Sequence, residues 1–257
     1  METANGFERF SLRDQVFIIT GASSGIGLSI AIGMSSVGAI VGLNSRSQKN
    51  LMDAAKSVPN SFMLPFDVVD LDAAERAIEN TIEQYGRLDG VVCNAGARDR
   101  RPIDQMDAVD FRALLETNLV APFQLARLAA KHMVKVGRGR ILFLTSLAAN
   151  QSRPGDPGYA GTKGGINGLL RALAVDLGPH GITVNGIAPG AIATETNLSL
   201  ASDPERSKEF TRQSPLGRWG TPEEIAGAAI FLASEAGRYV NGHVLTVDGG
   251  ASVKIFG

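Results

Sequence analysis

The sequence predicts a doubly wound α/β domain: a mostly parallel seven-stranded sheet with helices on both faces. Three observations predict it. Short β-branched runs alternate with longer helical patterns, and a glycine-rich run joins the first strand to the first helix. No Pro/Ser-rich linker, charge block, low-complexity stretch or internal repeat interrupts the alternation, so one domain accounts for residues 1–257.

Taken in order, the strands are expected at residues 16–20, 40–43, 62–65, 90–93, 140–145, 183–187 and 243–247. Helices are expected at 25–37, 72–85, 107–136, 158–177 and 222–233, where apolar residues recur at helical spacing. Each strand-helix-strand crossover returns the chain to the same end of the sheet. Residues 189–221 are less regular, with turn residues, charges and one short helical piece at 203–213. Regular patterns resume afterwards, so this stretch reads as a substrate lid on the same domain.

Composition excludes several function classes. The chain carries 25 Lys+Arg against 26 Asp+Glu, a net charge of −1 that offers no field for nucleic acid or an anionic membrane surface. At 44% hydrophobic and 20% charged it is ordinary globular material. One cysteine, Cys93, cannot form an intrachain disulfide, and no metal-ligand spacing is present, so no metal is expected. The N-terminal METANGFERFSLRDQ has no apolar core, and no long apolar run follows; a cytoplasmic, soluble protein is the expectation.

The glycines then need placing. Thr20-Gly21-Ala22-Ser23-Ser24-Gly25-Ile26-Gly27 is a G-x-x-x-G-x-G run between strand and helix. Gly21 suits a tight turn, Gly25 lets backbone approach a pyrophosphate, and Gly27 lets the helix pack close, with helix-start N–H groups facing the anion. The missing Gly-Lys-Ser/Thr ending argues against a P-loop. Past the second strand the chain reads Leu43-Asn44-Ser45-Arg46-Ser47, without the carboxylate that would bind the ribose of NAD. Arg46 can face a 2′-phosphate, with Ser45 and Ser47 as neutral donors, so NADP(H) is favoured over NAD(H); a solvated loop arginine is the plain alternative.

Tyr159 and Lys163 lie four apart at the start of a predicted helix, on one face. Ser146 ends a strand at the carboxyl edge, where open α/β sheets bind ligands. Asn118 lies within a helical stretch and by itself reads as a satisfied polar group.

With these motifs in place, the sequence resembles the short-chain dehydrogenase/reductase family over nearly its whole length. The matching segments are 20–27, Asp67-Val68, Asn94-Ala95-Gly96, Asn118, Ser146, Tyr159-x-x-x-Lys163, Pro189-Gly190 and Asp248-Gly249-Gly250. The resemblance implies a Rossmann-type fold, a homotetramer and a set of roles. Tyr159 would be the general acid/base, Ser146 the polariser of the substrate oxygen, Lys163 the ribose ligand and tyrosine activator, and Asn118 the holder of a relay water. Gly21, Ser23, Ser24, Gly25, Ile26 and Gly27 would hold the pyrophosphate, Asp67 and Val68 the adenine, and Ile192 with Thr194 the nicotinamide carboxamide. Asn94, Ala95 and Gly96 would lie beside the cofactor. Lowering a phenol from ~10 by ~3 pH units takes roughly 4 kcal/mol, which a nearby ammonium and an oxidised nicotinamide are expected to supply. Departures from the family are Cys93 in place of Asn, Thr162 in place of Ser, and Ser24 where some NADP-dependent members carry a basic residue.

Substrate choice follows from Arg98-Asp99-Arg100-Arg101-Pro102, on a loop expected to face the cleft. Three arginines suit a carboxylate or phosphate, and a solvated cluster is the plain alternative. This loop, Phe10-Ser11-Leu12, Leu43-Asn44-x-Arg46 and Leu216-Gly217-Arg218-Trp219-Gly220 look like gluconate 5-dehydrogenases, or 5-ketogluconate reductases. The expected activity is hydride transfer between nicotinamide and a ketone or secondary alcohol, such as 5-ketogluconate and gluconate. The alternatives are a 3-oxoacyl-[acyl-carrier-protein] reductase, with Arg127 and Arg171 meeting the carrier, a broad carbonyl reductase, and an inactive nucleotide sensor. Trp219 and Phe231 read as core or cleft wall, Cys93 as a small buried hydrophobe, and His132, His180 and His243 as structural.

Overall fold

The computed structural model describes residues 6–255; residues 1–5, part of the N-terminal segment read above as lacking an apolar core, lie outside the described residues. The strands are β1 (Val16–Thr20), β2 (Ile40–Ser45), β3 (Ser61–Pro65), β4 (Gly90–Cys93), β5 (Gly139–Leu144), β6 (Ile182–Pro189) and β7 (Val244–Val247). They lie in the order β3-β2-β1-β4-β5-β6-β7, and every neighbouring pair is parallel. The expected mostly parallel sheet is thus wholly parallel among the described strands, because every connection contains at least one helix. Two strands outrun the apolar signal. At the end of β2, Asn44 and Ser45 pair with Leu64 and Pro65, and the Asn44 side chain donates to the Leu64 and Phe66 carbonyls. At the end of β6, Pro189 still pairs with Val247.

The helices are α1 (Gly25–Ser36), α2 (Gln48–Ala55), α3 (Leu71–Tyr85), α4 (Ala108–Leu115), α5 (Ala121–Val136), α6 (Pro157–Leu177), α7 (Leu198–Ala201), α8 (Pro204–Gln213) and α9 (Pro222–Ala233). Helix α9 starts where expected because Thr221 and Glu224 form a capping box and Pro222 occupies the first turn. Helix α2 has no counterpart in the sequence reading. It buries only Leu51 and Ala54, too few for a periodic signal, and begins where the Ser47 side chain accepts the Asn50 N–H.

The expected continuous helix over 107–136 is corrected by the structure. A π-helical turn, Glu116–Val120, separates α4 from α5. Such a turn places one extra residue in the ring of each hydrogen bond and turns a side chain that a regular helix would aim elsewhere. Asn118 sits within it, 1% exposed.

Side chains alternate across the sheet. Phe17 and Ile19 of β1 join Ile30 and Met34 of α1 and Ile225 and Leu232 of α9 on one face. Ile18 joins Ile78 of α3, Leu125 of α5 and Leu170 of α6 on the other. Each such fully buried aliphatic contributes ~1.5–3 kcal/mol relative to exposure. The strand order runs back through β2 to β3 on one side of β1 and forward through β4 on the other. Loops leaving β1 and β4 therefore diverge, and a crevice opens at their carboxyl ends.

Candidate active site

The glycine run occupies that crevice. Gly21 and Gly25 take φ of +63° and +55°, the left-handed region that favours glycine. Gly27 is required for a different reason: a Cβ there would lie 2.2 Å from the Gly21 carbonyl oxygen and 2.4 Å from Asn94 Nδ2. Asn94, from the loop after β4, knits the two loops together. Its side chain donates to the Thr20 and Gly21 carbonyls at 2.8 and 3.1 Å, and the Asn94 and Ala95 N–H groups both donate to Thr20 Oγ1 at 3.0 Å. Ala22 N–H donates to the Asn44 carbonyl, tying the run to the end of β2.

These residues fit a dinucleotide. Ser24 precedes α1 without a side-chain cap, so the first N–H groups of the helix remain available to an anion. A Cβ on Gly25 would project to 3.6 Å from Thr194 Cγ2, which places Ser24-Gly25 and Ile192–Thr194 on opposite walls of one cradle. Val68 lines a small apolar hollow with Thr20, Phe66 and Ala95. Arg46 is 81% exposed at the end of β2, its Nη1 3.9 Å from Asp67 Oδ2. The Ser45 hydroxyl donates to the Ser47 carbonyl, and Ser47 is occupied as the α2 cap. Of the two expected serine donors, Ser45 therefore spends its proton on the backbone, while Ser47, which only accepts, keeps its own.

Ser146, Tyr159 and Lys163 converge one crevice wall away. Ser146 follows β5 in extended conformation, and its Oγ accepts the Ala148 N–H, leaving its own proton to donate. Tyr159 lies in the first turn of α6, and Lys163 one turn on, where Nζ donates to the Leu144 carbonyl at 2.7 Å. Asn118 Oδ1 accepts the Ala97 N–H, while its Nδ2 donates to the Ala97 carbonyl and to Thr162 Oγ1. Thr162 in turn donates to the Tyr159 carbonyl. The π turn, the loop after β4 and the tyrosine-bearing turn of α6 are thus one hydrogen-bonded unit.

Burial pushes the Tyr159 phenol above its ordinary value. The Arg98 guanidinium leads the groups opposing this, followed by a hydrogen bond with Ser146; Asp156 pushes up again and Arg153 pulls down. Lys163, 5% exposed, is brought down to about 8 by burial first and by Arg98 second. Its Nζ lies 5.6 Å from the Tyr159 ring centroid, whereas the Arg98 guanidinium carbon lies at 4.3 Å. Cys93 is buried, its thiol pushed up to about 12 by burial, as expected of a small hydrophobe.

The arginine loop is only partly as expected. Arg101 is consumed by ion pairs with Asp99 and Asp110 and a bond to the Gln105 carbonyl. Arg98 and Arg100 instead turn to Asp156, whose Oδ2 lies 3.7 and 3.9 Å from them. Arg153 joins at 3.4 Å. Three guanidiniums thus face one carboxylate, 3% exposed, leaving surplus positive charge beside the phenol. Sequence reasoning missed Arg153 and Asp156. The available signal was an Asp before Pro157: it takes the N-cap position of α6 yet makes no cap bond, its carboxylate being drawn to the arginines.

Residues 189–221 leave β6 and return beside it. The Gly190 N–H donates to the Val247 carbonyl, and Ile192 pairs with Gly220 through two backbone bonds, so the base of the excursion is fixed. Trp219 is neither simple core nor cleft wall: Nε1 donates to Ser207 Oγ at 2.7 Å and the ring packs on Phe210, pinning α8. Phe231 packs against the α1/α9 core. A hollow of about 580 Å³ between the excursion and Asp248–Gly250 touches the cradle only at Ile192. Arg127 and Arg171 lie exposed on helix faces. Among the described residues no helix is long and apolar enough to cross a membrane.

Residues 21–252 match the family model described as enoyl-(acyl carrier protein) reductase. The chain is 39% identical over 251 residues to gluconate 5-dehydrogenase of Gluconobacter oxydans (strain 621H), covering 96% of this chain and 98% of that protein. It is 32% identical over 250 residues to 5-keto-D-gluconate 5-reductase of Escherichia coli (strain K12), at 96% and 98% coverage. Among solved structures, a gluconate 5-dehydrogenase from Burkholderia cenocepacia J2315 in complex with NADP and tartrate superposes with TM-score 0.91 at 35% identity, covering 98% of this chain and all of that one.

Proposed function

Because the chain belongs to the short-chain dehydrogenase/reductase family, oxidoreductases of CH–OH groups that use a nicotinamide cofactor, we propose that it interconverts a keto sugar acid and its alcohol, the 5-ketogluconate/gluconate class, with NADP(H). The observation that carries this reading is the convergence of Ser146, Tyr159 and Lys163 beneath a surplus of guanidinium charge. An acid is the substrate class such a surplus selects.

In the reductive direction Tyr159 donates its phenolic proton to the substrate oxygen, and the Ser146 hydroxyl holds that oxygen as negative charge develops on it. Lys163, held on the Leu144 carbonyl, binds ribose hydroxyls and restores favourable charge beside the phenol. Arg100 and Arg153 hold the substrate carboxylate. Gly21, Ser23, Gly25, Gly27 and the α1 start hold the pyrophosphate; Asp67 and Val68 border the adenine; Pro189 and Gly190 carry the chain to Ile192 and Thr194 at the nicotinamide amide. The bound nicotinamide supplies or accepts the hydride. Residues 189–221 cover the substrate from their fixed base.

The NADP preference is drawn from Arg46. Its pairing with Asp67 is long and exposed, worth ~0–1 kcal/mol, and is cheaply exchanged for a bidentate contact to a 2′-phosphate. The test is NADPH consumption with 5-ketogluconate, an acetoacetyl thioester and cyclic ketones side by side. The sugar acid is expected to give the highest kcat/KM, and tight NADPH binding without turnover of any carbonyl refutes the reading. Tyr159→Phe should keep NADPH affinity and lose ~10²–10⁴ in kcat.

A further inference from the structure

The Tyr159 ring carries a cation on its face to which the family resemblance gives no role. Arg98 stacks there, its guanidinium carbon 4.3 Å from the ring centroid, while its Nη2 is anchored on Asp156. Asp156 is itself buried, 3% exposed, and also faces Arg100 and Arg153. We propose that Arg98 is a positioning residue for the proton-transferring phenol: held over the ring by Asp156, its positive charge stabilises the phenolate and sets the pH at which Tyr159 gives up its proton.

The charged and titratable groups around the phenol can be counted element by element. The loop after β4 contributes Arg98 and Arg100, the approach to α6 contributes Arg153 and Asp156, and α6 itself contributes Lys163. Cys93 of β4 lies beside the lysine as a neutral thiol. Of these cations, Arg98 is closest to the ring, and Lys163 is turned to the Leu144 carbonyl. A phenolate spreads its charge into the ring, so a cation over the face is attracted to the anion more strongly than to the neutral phenol. The direction of the Arg98 effect on Tyr159 agrees. Asp156 opposes it at close range, and its compensating task is to hold three like charges together beside one ring.

This inference rests on Tyr159 being the proton-transfer group, and its test does not depend on turnover. The chain has three tyrosines, so Tyr85→Phe with Tyr239→Phe leaves Tyr159 as the sole phenol, titratable by tyrosinate absorbance in the full-length protein. In that background Arg98→Leu should raise the midpoint by about one pH unit, and Arg98→Lys should restore most of it. Arg153→Leu, which removes a charge without a ring contact, should move it much less. The same order should appear in the pH profile of kcat/KM for oxidation of the alcohol, whose acidic limb moves upward in Arg98→Leu. That second readout serves if alkaline unfolding overtakes the titration. An unchanged midpoint and limb in Arg98→Leu, with only KM raised, would make Arg98 a substrate seat and overturn the proposal; equal shifts in Arg98→Leu and Arg153→Leu would also overturn it.

Discussion

Lys163 should cost the folded protein stability, and the cost should have a pH signature. Its ammonium is buried, and burial with repulsion from Arg98 lowers it from 10.5 to about 8. At about 1.4 kcal/mol per pH unit, holding the charged form in the folded state costs about 3 kcal/mol relative to the neutral form. The sign follows from proton counts. Between about 8 and 10.5 the unfolded chain binds more protons than the folded one, so wild-type stability rises with pH across that window and the penalty is fully present below it. Lys163→Met removes the penalty, fills the space with apolar volume, and leaves the Leu144 carbonyl without its donor, a loss of about 1–3 kcal/mol. The variant is therefore expected to be about 1 kcal/mol more stable than wild type at pH 7, without activity. The assay is equilibrium urea unfolding at fixed protein concentration from pH 7 to 10.5 without cofactor. The difference between the two proteins should shift by about 3 kcal/mol in favour of wild type across the window. A difference that stays flat with pH refutes the reasoning, whatever its size at pH 7.

Other substitutions test separate parts of the site. Arg46→Ala should lower the kcat/KM ratio of NADPH to NADH by about tenfold or more, and an unaltered ratio rejects a phosphate contact. Arg100→Ala should raise KM for the sugar acid about tenfold with little change for an uncharged ketone, whereas Arg101→Ala, whose partners are Asp99 and Asp110, should act on stability instead. Gly27→Ala should weaken NADPH binding by more than tenfold in calorimetry and cost about 1–3 kcal/mol of stability, because its Cβ displaces the Gly21 carbonyl and Asn94 together.

Much of this molecule is legible in its residues because signals at different levels agree. The β1 run, the glycine turn and the α1 pattern are all local, and the structure places them at the expected positions. Helix α2 escaped because a helix that buries two residues has almost no periodicity to read. The ends of β2 and β6 escaped because polar Asn44 and Pro189 are held by pairing across the sheet, not by their own preference. In the site, the meeting of Tyr159, Lys163 and Ser146 could be expected from their spacing and the family resemblance together, but the charge balance around them could not. Arg98 and Asp156 are 58 residues apart in the chain, and their meeting depends on β4 and β5 being neighbours. The same long-range contact decides which of the loop arginines remain available: Asp110 takes Arg101, and Asp156 gathers the others.

The widened turn at Glu116–Val120 constrains how this chain can change length. Each residue advances a regular helix by about 100°, and the widened turn absorbs its surplus residue, so α5 continues in the phase that a regular helix one residue shorter would give it. Deleting one residue of the turn would restore a regular helix with Leu125, Leu128 and Met133 still on the sheet, whereas closing the turn to regular geometry at its present length would swing them by about 100° off it. The turn that aims one amide at the Ala97 backbone is thereby held open by sixteen downstream residues of packing, and is lost only together with a residue of the chain.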